Sequence, residues 1–300
     1  MKISRIMGLV IILVVFVSLA AIWFYPSIQE YMASNALWNG IKQFSTAFNV
    51  QNIDSIAALP DSPQKDVLIA IPYTQYSTDE LIQMKQFVEN GGKLIMLDDF
   101  GYGNSFLAYA GIPARFTNTL LLDPLFNYKN EYFPRITDFT TAIANSGIKV
   151  VGFNHAAALS GVSQSQAMAW SSNVSFLDTN QNGNWDSGEP KGPFAVAASY
   201  SLGGGTIDLV SDPSLIMNSA AGSNNNHGFI QYLINSNRTP ANVLLDRSHL
   251  TKSPLDTSKM KLEKVRGIMS NPYTVLGIIA LVFVIITWYM YQRGRLIGRN

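Results

Sequence analysis

Two long apolar runs bracket the chain, and between them short apolar pieces alternate with amphipathic ones. Residues 6–24, IMGLVIILVVFVSLAAIWF, are uncharged and about as long as a helix needs to cross a hydrocarbon core. Residues 273–291, YTVLGIIALVFVIITWYMY, repeat the pattern, with Trp288, Tyr289 and Tyr291 suited to an interfacial belt. The first run exceeds a signal-peptide core of about 7 to 15 residues, and bulky Ile22-Trp23-Phe24-Tyr25-Pro26 replaces a small-residue cleavage pattern, which favours an uncleaved anchor. Lys2 and Arg5 flank the first run, and Arg293, Arg295 and Arg299 follow the second. By the positive-inside rule both termini face the cytoplasm and the centre lies outside, although Lys259, Lys261, Lys264 and Arg266 pull the other way. The expected layout is an anchor at 1–25, an extracytoplasmic domain at 26–246, a polar tether at 247–271, a second span at 272–292 and a basic tail at 293–300.

Within the centre, residues 27–49 read as helix broken near Asn39-Gly40, with Trp38 expected as a buried ring. Residues 66–73, DVLIAIPY, are apolar at nearly every position, as in a central parallel strand. Ser77-Thr-Asp-Glu80 is a capping box, Leu81, Met84, Phe87 and Val88 follow at helical spacing, and Gly91-Gly92 stops the helix before the strand at 93–97. Together these make one βαβ unit. The pattern weakens over 102–139, where prolines interrupt short aromatic-rich pieces that suit an insertion or a cap over the sheet. Further on come a helix at 137–145, strands at 149–153 and 167–172, a hairpin pair at 194–200 and 206–210 joined by Gly203-Gly204-Gly205, a helix at 226–235 and a strand at 242–245. Alternation of strands and helices predicts an α/β domain with a flavodoxin-like or Rossmann-like, mainly parallel sheet flanked by helices and bracketed by two transmembrane helices.

Composition sharpens this reading. At 47% hydrophobic and 14% charged the chain is apolar enough to place part of itself in lipid, and a net charge of +1 leaves no basic footprint for nucleic acid. There is no cysteine, so disulfides, thiolate metal sites and cysteine nucleophiles are excluded from this sequence.

Carboxylates end several apolar runs: Asp98 and Asp99, Asp212, and Asp246. The C-terminal edge of parallel strands is where such folds bind ligands, so these residues, with Asn104, Asn218, His227 and His249, are the candidate ligand set. Acids at strand ends also cap the next turn, and that structural role competes with a chemical one. Residues 178–189, DTNQNGNWDSGE, fit a twelve-residue calcium loop: Asp178, Asn180 and Asn182 alternate, Gly183 makes the turn, and Asp186 and Glu189 close it, with Asn184 a further candidate ligand. Extended sequence before the loop and Pro190 after it leave no flanking helix pair, so a bound Ca²⁺ would staple a loop. No G-x-S-x-G, Walker or G-x-G-x-x-G motif occurs. Asn173 and Asn237 head glycan acceptor triplets.

Trp38-Asn39-Gly40, DVLIAIPY, FVENGGKLIMLDDFGYGN, Ala169-Trp-Ser-Ser172, the 178–198 segment, SDPSLIMN and LLDRSH, in that order, resemble the domain-of-unknown-function 4350 family. Its members are similar to membrane-tethered relatives of the class I glutamine-amidotransferase-like fold. The resemblance implies partners among envelope proteins of a MoxR-ATPase-linked cluster, and the two bracketing spans with the glycan triplets look similar to archaeal more than to bacterial membrane proteins. It brings no established activity, and amidotransferase chemistry fails here for want of a cysteine. The leading expectation is a non-enzymatic, membrane-anchored binding or scaffold protein of the lipid bilayer. The competing ones are a metal-assisted hydrolase built on the strand-end carboxylates and a calcium-responsive sensor.

Overall fold

The computed structural model describes residues 2–222, 224–236, 239–251 and 253–297. The chain forms two compact units, Pro26–Thr251 on the one hand and Met1–Tyr25 with Lys252–Asn300 on the other.

The central unit is built on a ten-stranded sheet whose main path uses eight strands: β1 (Gln51–Ile53), β2 (Asp66–Ala70), β3 (Lys93–Leu97), β4 (Asp138–Phe139), β5 (Ala167–Trp170), β6 (Ala195–Leu202), β7 (Gly205–Val210) and β8 (Asn242–Asp246). Their order is β1-β8-β2-β3-β7-β6-β5-β4. Neighbours from β1 to β7 are parallel, and those from β7 onward are antiparallel. The sheet is therefore mixed, which corrects the expectation of a mainly parallel one. The cause is the Gly203-Gly204 turn, which folds β6 back on β7 instead of sending the chain across a helix.

Every position of β2 and β3 is buried, because helices cover both faces. Leu68, Leu94 and Met96 meet Met84, Phe87 and Val88 of helix Thr78–Glu89, while Val67, Ile69 and Ile95 join the core of Phe229, Ile230 and Leu233 from helix Asn226–Asn235. Each such burial stabilises by roughly 1.5–3 kcal/mol. The capping box forms as expected: Ser77 Oγ accepts from Glu80 N, and Glu80 returns an acceptor to Ser77 N at 2.8 Å. That helix ends at Glu89 with Asn90 as its C-cap, and the next residue, Gly91, has a φ of +101° that suits a residue without a side chain.

Three local expectations fail. Residues 27–41 form turns, and only Lys42–Ala47 is helical. Asn35 and Asn39 are the reason: Asn35 Nδ2 donates to Gln29 O and Asn39 Oδ1, Asn35 Oδ1 accepts from Leu37 N, and Asn39 Nδ2 donates to Ile28 O. Trp38 is 66% exposed rather than buried. The stretch at 149–153 pairs only over Val151–Gly152, with Arg135–Ile136, outside the main sheet.

In the second unit, helix Lys2–Phe24 contains Ile6–Phe24, the one helix among the described residues that is long and apolar enough to cross a membrane. Its side chains stand uncovered, Ile12 at 66%, which water does not favour. The sequence predicts two spans, and among the described residues one helix is long and apolar enough to be one. The second apolar run falls in helix Pro272–Ile297, whose described apolar stretch is Pro272–Leu281. The polar tether contains a further helix, Pro254–Met269, capped by Ser253 Oγ accepting from Asp256 N at 3.1 Å. Lys259 Nζ donates to Tyr25 O, and the Arg266 guanidinium lies 5.6 Å from the Trp23 ring, so these two basic residues meet the end of the first helix. Arg299 lies outside the described residues.

Candidate functional site at the strand edge

Strands β8, β2, β3 and β7 run parallel and deliver Asp246, Tyr73, Asp98-Asp99 and Asp212 to one edge of the sheet. Leu97 is in register with Val210, so Asp99 and Asp212 stand the same two residues beyond paired positions on adjacent strands.

The strand-end acids have separate duties. Asp98 is buried, and its carboxylate accepts from Phe100 N (2.8 Å), Gly101 N (2.9 Å) and Gly103 N (2.7 Å), pinning the loop after β3. A Cβ on Gly103 would sit 2.4 Å from Met96 Sδ and 3.0 Å from Asp98 Oδ2, so a side chain there would push the buried Met96 aside. Burial raises the Asp98 pKa, and the three amides pull it back. Asp212 caps the turn Pro213–Ile216, accepting from Ser214 N and Asn154 N at 2.7 Å each, and burial pushes its carboxyl up to about 7. Asp246 is engaged locally by His249 Nδ1 at 2.7 Å and by Ser248 N at 2.9 Å.

Asp99 differs. Its Oδ1 is buried with no hydrogen-bond partner, and burial, then the charges of Asp212 and Asp98, push its carboxyl up to about 8. At neutral pH it is a protonated acid that can donate as well as accept. It lines two neighbouring cavities of about 440 and 480 Å³, which also share Phe100 and His155. Aromatic rings wall the larger cavity. On one side Tyr31, Tyr73 and Phe100 follow each other at centroid distances of 5.8 and 5.3 Å; on the other Tyr128, Phe133 and His155 do so at 5.1 and 5.4 Å. Burial raises the phenols of both Tyr31 and Tyr73, so they remain neutral. Burial lowers the His155 pKa and favours its neutral ring.

The remaining candidates do not converge here. Asn104 bridges to Phe116, donating to its O at 3.0 Å and accepting from its N at 2.9 Å. Asn218 ties down the turn carrying Trp38, donating to Asn35 O and Leu37 O and accepting from Gln43 N. His227 stacks on Phe48 at 5.0 Å. His249 packs 4.1 Å from the Tyr76 ring, with Nε2 3.5 Å from Glu80 of the capping box. Tyr31, Tyr73, Tyr128, Phe133, Asn154 and His155 were not foreseeable as a group, because they come from separate segments that meet only in the folded chain.

In the 178–189 loop the oxygens suit a hard cation in kind, but they are turned to the loop's own donors. Asp178 accepts from Asn182 N and Gly183 N, Asp186 Oδ2 from the Asn180 and Asn182 side-chain amides, and Glu189 from Thr179 N (2.7 Å) and Asp186 N (3.1 Å). Asn182 Oδ1 accepts from Asn184 N. Among the described residues no three of His, Cys, Asp or Glu converge as a metal set. Asn173 is exposed, while Ser175 of its triplet is buried and bonded to Ser171 Oγ at 2.7 Å; Asn237 lies outside the described residues.

A mixed α/β domain with a carboxylate-and-aromatic cleft at its parallel strand edge is the class that these features define. The chain belongs to the family described as "Domain of unknown function (DUF4350)", whose profile matches residues 33–234. No curated protein matches the chain. Among solved structures it is similar to the mmIFT52 N-terminal domain, at 15% identity and a TM-score of 0.45 over 57% of this chain and 75% of that one. It is also similar to a β-galactosidase from Bacillus circulans sp. alkalophilus, at 12% identity and a TM-score of 0.33 over 56% of this chain and 22% of that one. Likenesses this distant carry no argument about activity.

Proposed function

We propose that the chain is a membrane-anchored, non-enzymatic binding module. Its flavodoxin-like or Rossmann-like domain is displayed outside the cytoplasmic membrane, and the cleft at the strand edge is its ligand site. The apolar helix Ile6–Phe24 is the anchor, and residues 273–291 form a second span that leaves both termini in the cytoplasm. The observation that carries the reading is Asp99, which lines cavities large enough for a small molecule and keeps one carboxyl oxygen buried without a partner. The metal-assisted hydrolase draws no comparable support, since Asp98 and Asp246 are spent on local bonds and His227 and His249 lie elsewhere. Its partners are other envelope proteins, and Ca²⁺ in the 178–189 loop would be a structural staple beside the smaller cavity, which Asp178 and Thr179 help to line.

Display outside the membrane is testable because the sequence has no cysteine. Ala108→Cys, on an exposed helical position, should react in intact cells with a membrane-impermeant maleimide. Reaction only after the cells are permeabilised would overturn the topology. Co-purification in mild detergent tests for the partners.

A further inference from the structure

We infer that the cleft selects an organic cation, a small ammonium compound, held between the two aromatic walls with its charge against Asp99. This rests on the cleft being the ligand site. The walls offer ring faces, the rim tryptophan Trp38 adds an exposed one, and ring faces attract cations through their quadrupole. On one wall Lys129 Nζ lies 5.4 Å from the Tyr128 centroid and 5.2 Å from that of Phe133, so a ligand ammonium belongs on the Tyr73–Phe100 side, away from it. Glu30 and Lys129 balance in the lining of the aromatic cavity, and Asp178 lines the neighbouring one, so ionisation of Asp99 tips the pair negative, which suits a cation better than a phosphorylated or carboxylic ligand. The Asp99 carboxyl, which lines both cavities, supplies the counter-charge once it ionises.

Proton linkage follows. Asp99 is held near 8 by burial and by Asp212 and Asp98, with Glu30 and the phenols Tyr31 and Tyr73 also facing the cleft and Lys129 and His155 on the opposite wall. An entering ammonium stabilises the carboxylate, so at pH 7 Asp99 gives its proton to the buffer, and affinity rises as the pH approaches 8.

The test is calorimetry on the full chain in a neutral polyoxyethylene detergent, with choline and putrescine as probes. The comparison ligands are 3,3-dimethylbutan-1-ol, which has choline's shape without its charge, methyl α-glucopyranoside, and inorganic phosphate. Choline or putrescine should bind at least about tenfold more tightly than the uncharged alcohol. Asp99→Asn and Trp38→Ala should each weaken that binding, and the heat should report proton release in buffers of different ionisation enthalpy. Trp38 is exposed, so its substitution leaves folding intact even if Asp99→Asn does not. Equal binding of the alcohol, or no heat from either cation at millimolar concentration, overturns the inference. Binding of the glucoside or of phosphate alone, lost in Trp38→Ala, also overturns it while leaving the cleft as the ligand site.

Discussion

Asp98 and Asp99 are adjacent and do opposite things: Asp98 spreads its carboxylate over three loop amides, while Asp99 leaves Oδ1 buried without a partner. Asp98→Ala should therefore strand three amides and destabilise the central unit by on the order of 2–4 kcal/mol, read as a lowered denaturant midpoint. A loss below about 0.5 kcal/mol would contradict the loop-fixing role.

Asp99→Asn should change the pH dependence of stability more than stability itself. The native carboxyl sits at about 8 against an ordinary value of 3.8, so between those values the folded state holds a proton that the unfolded chain has released. The resulting stabilisation is complete below pH 4 and is lost as the pH rises through 8. Denaturant midpoints from pH 5 to 8 should fall more steeply in the native protein than in Asp99→Asn, by up to about 1.4 kcal/mol per pH unit. Parallel profiles would show that Asp99 is ionised when folded.

Lys93 and Asp208 form a buried pair at 2.8 Å across β3 and β7, and Lys93 also donates to Leu233 O and Ser236 Oγ. Lys93→Met leaves Asp208 charged in the core and should cost about 3–5 kcal/mol. Adding Asp208→Asn should recover part of that loss, because the uncompensated charge is its main source; no recovery would place the cost in packing.

Millimolar calcium should raise the melting temperature of the native protein and leave Glu189→Gln unmoved, since a ligand that binds only the folded state stabilises it by mass action. No rise in the native protein would leave the 178–189 loop as a turn closed by its own hydrogen bonds.

Local chemistry made much of the fold legible. The capping box at Ser77–Glu80, the stop at Gly91-Gly92 and the fully apolar strands fixed one βαβ unit and put Asp98-Asp99 at the correct edge. The Gly203-Gly204 hairpin was also legible, but its consequence, an antiparallel half of the sheet, depends on which strand β7 joins, and pairing partners leave no local mark. Trp38 is exposed because Asn35, Asn39 and Asn218 fold its turn outward through side-chain bonds that span up to 183 residues, which no periodicity encodes. The aromatic walls were hidden for the same reason, since Tyr31, Tyr73 and Tyr128 meet only in the folded chain.

The central claim is that the Asp99 cleft binds a ligand. The direct measurement is a thermal-shift panel of organic cations, neutral sugars and phosphates on the full chain in neutral detergent, run beside Asp99→Asn and Trp38→Ala. One class should raise the native melting temperature by more than about 3 °C and fail to do so in both variants. A panel in which no class shifts the native protein, or in which the variants shift equally, would contradict it.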